Sequence, residues 1–130
     1  MKLHRVDHIQ LAVRDVARSS EYYQKLGLVL EGTLEEGKVV FLWNGDEESP
    51  VRLELHPAEG EAAVGVDHIA FLVDDVEESY RALKGAGMGF EHEPLQQPLT
   101  GRTVATFRDP DGIGLQLARK SEVGEYEDFR

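Results

Sequence analysis

The chain has no cysteine. Disulfides and thiolate metal ligation are therefore excluded, and any bound metal must take nitrogen and oxygen donors. Long apolar runs are missing too. No stretch approaches the ~20 residues needed to cross a bilayer, and the N-terminus carries no apolar segment of signal-peptide type. These absences predict a cytoplasmic protein with no membrane partner. Cations are scarce: 14 Lys and Arg stand against 25 Asp and Glu, for a net charge of -11. Binding a phosphate backbone needs clustered Lys and Arg, so nucleic acid is not expected as a partner. The acidic residues are scattered (Glu35-Glu36, Asp46-Glu47-Glu48, Asp74-Asp75, Glu77-Glu78) and read as a solvated surface. With 130 residues, 41% of them hydrophobic, the chain has the length of a single domain with a real core.

What the chain does have is an internal repeat. Val6-Asp7-His8-Ile9 returns sixty positions later as Val66-Asp67-His68-Ile69, Val13 as Val73, Asp15-Val16 as Asp75-Val76, and Ser19 as Ser79. Gly27 and Glu31 continue the register as Gly87 and Glu91. A repeat of this length means that one supersecondary unit was duplicated.

Hydrophobic spacing resolves each copy into elements. Leu3 to Val13 alternates as a strand. Asp15 is placed to cap a helix from Val16 to Leu26, which Gly27 stops. Strands follow at about Leu28 to Leu34, Lys38 to Trp43 and Val51 to His56, with turns at Glu36-Gly37 and Asn44-Gly45. The second copy repeats the order: strand Gly65 to Val73, helix Val76 to Ala86, and strands at Met88 to Glu93, Arg102 to Arg108 and Ile113 to Ala118. Residues 57–64 form the linker, Pro94 to Gly101 a long loop, and 119–130 a charged tail. The fold class is α+β: one domain of two tandem β-α-β-β-β modules (about 3–56 and 65–118). They are expected to form a curved mixed sheet with helices outside and a concave cup inside.

Strand parity then sorts the side chains. Ile9, Leu11 and Val13 belong under the first helix, which turns His8, Gln10 and Ala12 the other way. Leu53 and Leu55 lie on the helix side, so Arg52, Glu54 and His56 lie opposite. In the second copy His68 and Gln116 take the face opposite the core set Leu115 and Leu117. Two imidazoles, a carboxylate and an amide are thereby predicted on one face, from equivalent strands. Two histidines with a carboxylate suit a divalent ion such as Zn, Ni, Co, Fe or Mn, and open coordination positions let a metal polarise a substrate oxygen. A lone strand histidine is usually a structural side chain. Histidines at duplicated positions, each with a polar partner at a duplicated position, favour metal binding. Trp43 and Thr106 are candidates to line a small-molecule pocket with Gln10, and Arg102 to anchor an anionic substrate.

At this point the residues resemble the vicinal oxygen chelate superfamily, the group of glyoxalase I, bleomycin-resistance proteins and extradiol dioxygenases. The resemblance rests on Val6-Asp7-His8-Ile9, Ser20 through Leu28, Leu53-Glu54-Leu55, Val66 through Phe71, and Gly101-Arg102-Thr103 leading to Asp109-Pro110-Asp111-Gly112. It implies paired β-α-β-β-β modules and places metal ligands at His8, Glu54, His68 and Gln116. It also implies a homodimer, with the modules pairing within one chain or across two. In glyoxalase I-like relatives the last ligand is usually a glutamate that acts as base. Gln116 cannot accept a proton at neutral pH, which leaves Glu54 as the catalytic carboxylate, with His56 a conceivable relay.

The resulting expectation is a metal-dependent glyoxalase I-like lyase or isomerase working through a metal-stabilised enediolate-like intermediate on a small oxygen-chelating substrate. The alternatives are a non-catalytic drug- or metabolite-binding protein of the bleomycin-resistance type, and an epimerase or dioxygenase of the same superfamily. Epimerase relatives place glutamine in the earlier strand and glutamate in the later, the reverse of Glu54 and Gln116. Dioxygenase relatives place the carboxylate in the final strand.

Overall fold

A computed structural model describes residues 1–119. Its elements are β1 (Arg5–Val13), α1 (Val16–Leu26), β2 (Val29–Leu34), β3 (Val39–Trp43), β4 (Arg52–Pro57), β5 (Gly65–Leu72), α2 (Val76–Gly85), β6 (Leu95–Gln96), β7 (Thr103–Arg108) and β8 (Gly114–Ala118). The class is α+β, as the sequence predicts. The chain divides into two compact units. One runs from His8 to Asp67; the other joins Met1–Asp7 to the described residues from His68 to Arg119. The first copy was expected to own its N-terminal residues, but Met1–Asp7 belong with the second copy, where the His4 amide donates to the Leu72 carbonyl at 3.0 Å. The tail expected from 119 onward lies outside the described residues, apart from Arg119.

In the unit from His8 to Asp67 the strand order is β2-β3-β4-β1. β1 and β4 run parallel, while β3 is antiparallel to both β4 and β2. The side chain of Asp15 accepts the Arg18 amide at 3.1 Å and so supplies one of the partners that the first turn of α1 lacks. Gly27 ends α1 at φ 122°, a conformation that an L side chain adopts only under strain. One face of this sheet packs on the helix: Val40, Leu42 and Leu55 are buried with Leu11, Val13, Val16 and Tyr23 against them. Arg14 clasps the exposed Glu61 at 2.7 Å, and this pairing holds the Glu61 carboxyl below the usual carboxylate range.

The other unit repeats the plan with the order β5-β8-β7-β6. β5 and β8 are parallel; β7 is antiparallel to β8 and β6. Asp75 caps α2 through the Glu78 amide at 3.0 Å, as Asp15 caps α1. The core gathers Val73, Val76, Ala105, Phe107 and Leu117, with Tyr80, Leu83, Phe90 and Leu115 around it. One expected strand is absent. Met88 to Glu93 contributes a single bridge, Phe90 to Phe107, and the short β6 forms instead within the segment expected to be loop. Gly87, at φ 93°, and Gly89 interrupt the extended run. Phe90 is held by ring packing, its centroid 4.8 Å from Tyr80 and 4.9 Å from Phe107.

Candidate metal centre and substrate face

Register defines the face opposite α1. Gln10 on β1 and Phe41 on β3 flank Glu54 of β4, and Trp43 stands beside Arg52. Strand alternation adds His8 and His56 to the same face. His8 and Glu54 are both buried. Nε2 of His8 lies 3.2 Å from Oε2 of Glu54, and Nε2 of His56 lies 3.4 Å from the other oxygen, Oε1. A carboxylate withdrawn from water needs polar partners, and here each of its oxygens faces an imidazole.

The second unit builds the corresponding pair. Ala70 of β5 stands beside Gln116 of β8, and Thr106 of β7 flanks Gln116 on its other side. His68 and Gln116 are both buried. Gln116 therefore has the same strand relation to His68 that Glu54 has to His8. In each case the partner sits on the neighbouring parallel strand, level with the residue two beyond the histidine. Each unit thus carries one half of a nitrogen–oxygen donor set: imidazole with carboxylate, and imidazole with amide. Among the described residues no group of three or more histidine, aspartate or glutamate side chains is placed to hold a metal ion. Within each unit the pair offers one nitrogen and one oxygen donor, the donor types that borderline divalent cations accept.

The pocket candidates divide. Gln10 is level with Glu54, and its amide nitrogen is 3.4 Å from Asp67 Oδ2. Thr106 flanks Gln116, and Trp43 lies on the Glu54 face beneath the Arg52 guanidinium, 5.1 Å from its ring centroid. Arg102 does not fit its expected role. It is 3% exposed and forks onto the buried carboxylate of Asp7 at 2.6 and 2.9 Å, while its Nε donates to the Arg119 carbonyl at 2.9 Å. Its charge is committed to an internal pair, so it is not the anchor for an anionic substrate.

His56 is a direct neighbour of Glu54, on the face where parity put it. One feature of the face exceeds the sequence-based expectation. Glu31 lies where the register of β2 against β3 shifts between Leu30 and Gly32, and its carboxylate reaches Arg52 Nε at 3.2 Å. A bulge of this kind re-aims a side chain, and alternation alone does not reveal it.

The sequence of this chain matches the model of the Glyoxalase/Bleomycin resistance protein/Dioxygenase superfamily over residues 5–117. It is 33% identical to a probable lactoylglutathione lyase of Vibrio cholerae, covering 95% of this chain and 96% of that one. It is 30% identical to a lactoylglutathione lyase of Escherichia coli O157:H7, covering 92% and 96%. Among solved structures, a methylmalonyl-CoA epimerase in complex with methylmalonyl-CoA superposes with a TM-score of 0.76 at 22% identity, covering 95% of this chain and 99% of that chain. Matching in sequence over nearly its whole length and in the order of its strands and helices, the chain belongs to the glyoxalase, bleomycin-resistance and dioxygenase superfamily.

Proposed function

We propose that the chain is a metal-dependent lyase or isomerase of the glyoxalase I type, acting on a small molecule with adjacent oxygen atoms. The observation that carries the reading is the buried contact of His8 with Glu54 at 3.2 Å, together with the burial of His68 and Gln116 in the same strand relation. His8, Glu54, His68 and Gln116 are the proposed ligands, with the two half-sets meeting in one chain or across a homodimer. A divalent ion held by them would draw electron density from the substrate oxygens and ease loss of the proton from the carbon between them.

The residues divide the remaining work. Glu54 takes the carbon-bound proton on a carboxylate oxygen and returns it to the neighbouring carbon, while the hydroxyl proton passes from the first substrate oxygen to the second. The reaction is then an isomerisation that needs no oxidant. General acid–base help of this kind is typically worth about 10²–10⁴-fold. Gln116 has an amide oxygen to offer as ligand but no basic site, so proton transfer falls to Glu54 alone. His56 steadies the second carboxylate oxygen. The relatives named lactoylglutathione lyase make the hemithioacetal isomeric with lactoylglutathione the first compound to assay.

The test is turnover of that hemithioacetal, followed as thioester formation, by protein loaded in turn with Zn, Ni, Co and Mn. Metal-restored turnover that Glu54→Gln abolishes is the expected outcome. Gln116→Glu, which restores a second carboxylate, should raise the rate. Absence of turnover with every metal would move the protein to the non-catalytic binding class.

A further inference from the structure

Two arginine–carboxylate pairs among the described residues have little exposure and differ in kind. Arg102 and Asp7 meet at 2.6 and 2.9 Å, the separation of a tight charge-assisted fork. Arg52 and Glu31 meet at 3.2, 3.4 and 3.4 Å, although their side chains are only 9% and 15% exposed. Glu31 reaches Arg52 from the bulged residue of β2, whereas Arg52 sits on β4, two residues before Glu54 and on its face. The guanidinium also lies over the Trp43 ring, which fixes its plane. A loosely made, poorly hydrated ion pair adds little to stability, because desolvation of both charges offsets their attraction. Contacts of 3.2 to 3.4 Å leave room for a carboxylate that meets the guanidinium as closely as Asp7 meets Arg102.

We propose that Arg52, stacked on Trp43, is the subsite for a carboxylate of the substrate, and that Glu31 occupies the guanidinium fork until that carboxylate exchanges with it. This rests on the reading of Glu54 as the reacting base and narrows the substrate class. Two residues along a strand span about 6.6 Å. The substrate carboxylate therefore lies only a few bonds from the carbon that exchanges its proton with Glu54. The substrate class is a small oxygen-chelating molecule that carries a carboxylate beyond its two reacting carbons, with that anionic end at Arg52. Arg52 thus takes the anchoring role that the sequence suggested for Arg102.

Trp43 is the only tryptophan of the chain, so its fluorescence reports occupancy at Arg52 without any turnover. The full-length protein, as purified and after chelator treatment, is titrated with lactate. Propane-1,2-diol, which replaces the carboxylate by a hydroxymethyl group, serves as the matched control, and chloride at equal ionic strength as the second. Lactate should change the Trp43 signal saturably and the two controls should not. Arg52→Lys, which keeps the charge but loses the planar fork, should weaken lactate about 10-fold or more. Glu31→Gln, which removes the competing carboxylate, should tighten it by about the same factor. Unchanged far-UV circular dichroism in both variants shows that the fold is retained.

Equal responses to lactate and the diol, no response to lactate, or lactate affinity indifferent to both substitutions would overturn the proposal even if metal binding is intact. A saturable lactate response that obeys both substitutions in protein that takes up no metal would uphold the subsite while removing the metalloenzyme reading.

Discussion

Replacing Arg102 with methionine keeps the length and apolar stem of the side chain and removes its charge. The Asp7 carboxylate, whose side chain is 0% exposed, then stays buried without the guanidinium that forks onto it, and the Arg119 carbonyl loses a donor. Breaking a buried pair from one side costs about 3–5 kcal/mol, because the remaining charge cannot return to water without unfolding. For a domain of this size such a loss lowers the melting temperature by on the order of 10–20 °C. Asp7→Asn should destabilise by the same mechanism acting on the other charge. The double variant Asp7→Asn, Arg102→Met removes both charges of the pair, so its loss should fall short of the sum of the singles by about 2 kcal/mol. Urea unfolding followed by Trp43 fluorescence and circular dichroism measures all four states. A cost below about 1 kcal/mol for Arg102→Met, or strict additivity, would refute the assignment of Arg102 to an internal structural pair.

Other substitutions test the scaffold. Leu117→Ala removes a side chain that is 1% exposed in the core beneath α2 and should cost about 2–5 kcal/mol in the same unfolding assay. Asp15→Ala and Asp75→Ala delete the two equivalent helix caps, and each should cost about 1 kcal/mol. A cost confined to one of them would show that the two repeats have diverged in stability despite sharing a capping residue.

The sequence made much of this legible because the duplication checks itself. Both helices begin after an aspartate cap, both start where the apolar spacing predicts, and Gly27 ends α1 by a positive φ that glycine tolerates. Parity placed Leu11 and Leu55 under α1 and Leu115 and Leu117 under α2, and it turned Glu54 toward the face of His8. Three features were not legible, each for a local reason. Met88 to Glu93 has strand-like residues, but Gly87, Gly89 and the packing of Phe90 between two rings replace the ladder. Arg102 follows a loop glycine and resembles a surface cation; only its partner Asp7, remote in sequence, shows it to be internal. Glu31 owes its position to a bulge, which breaks the alternation on which parity depends.

The central claim is that His8, Glu54, His68 and Gln116 hold one divalent ion. Elemental analysis of protein purified without a chelating tag, stripped and then reloaded with Zn, Ni, Co or Mn, tests it most directly. One tightly held ion per chain, lost on His8→Ala and equally on His68→Ala while circular dichroism is unchanged, is the expected result. Protein that retains no metal, or a stoichiometry untouched when either histidine is removed, would contradict it.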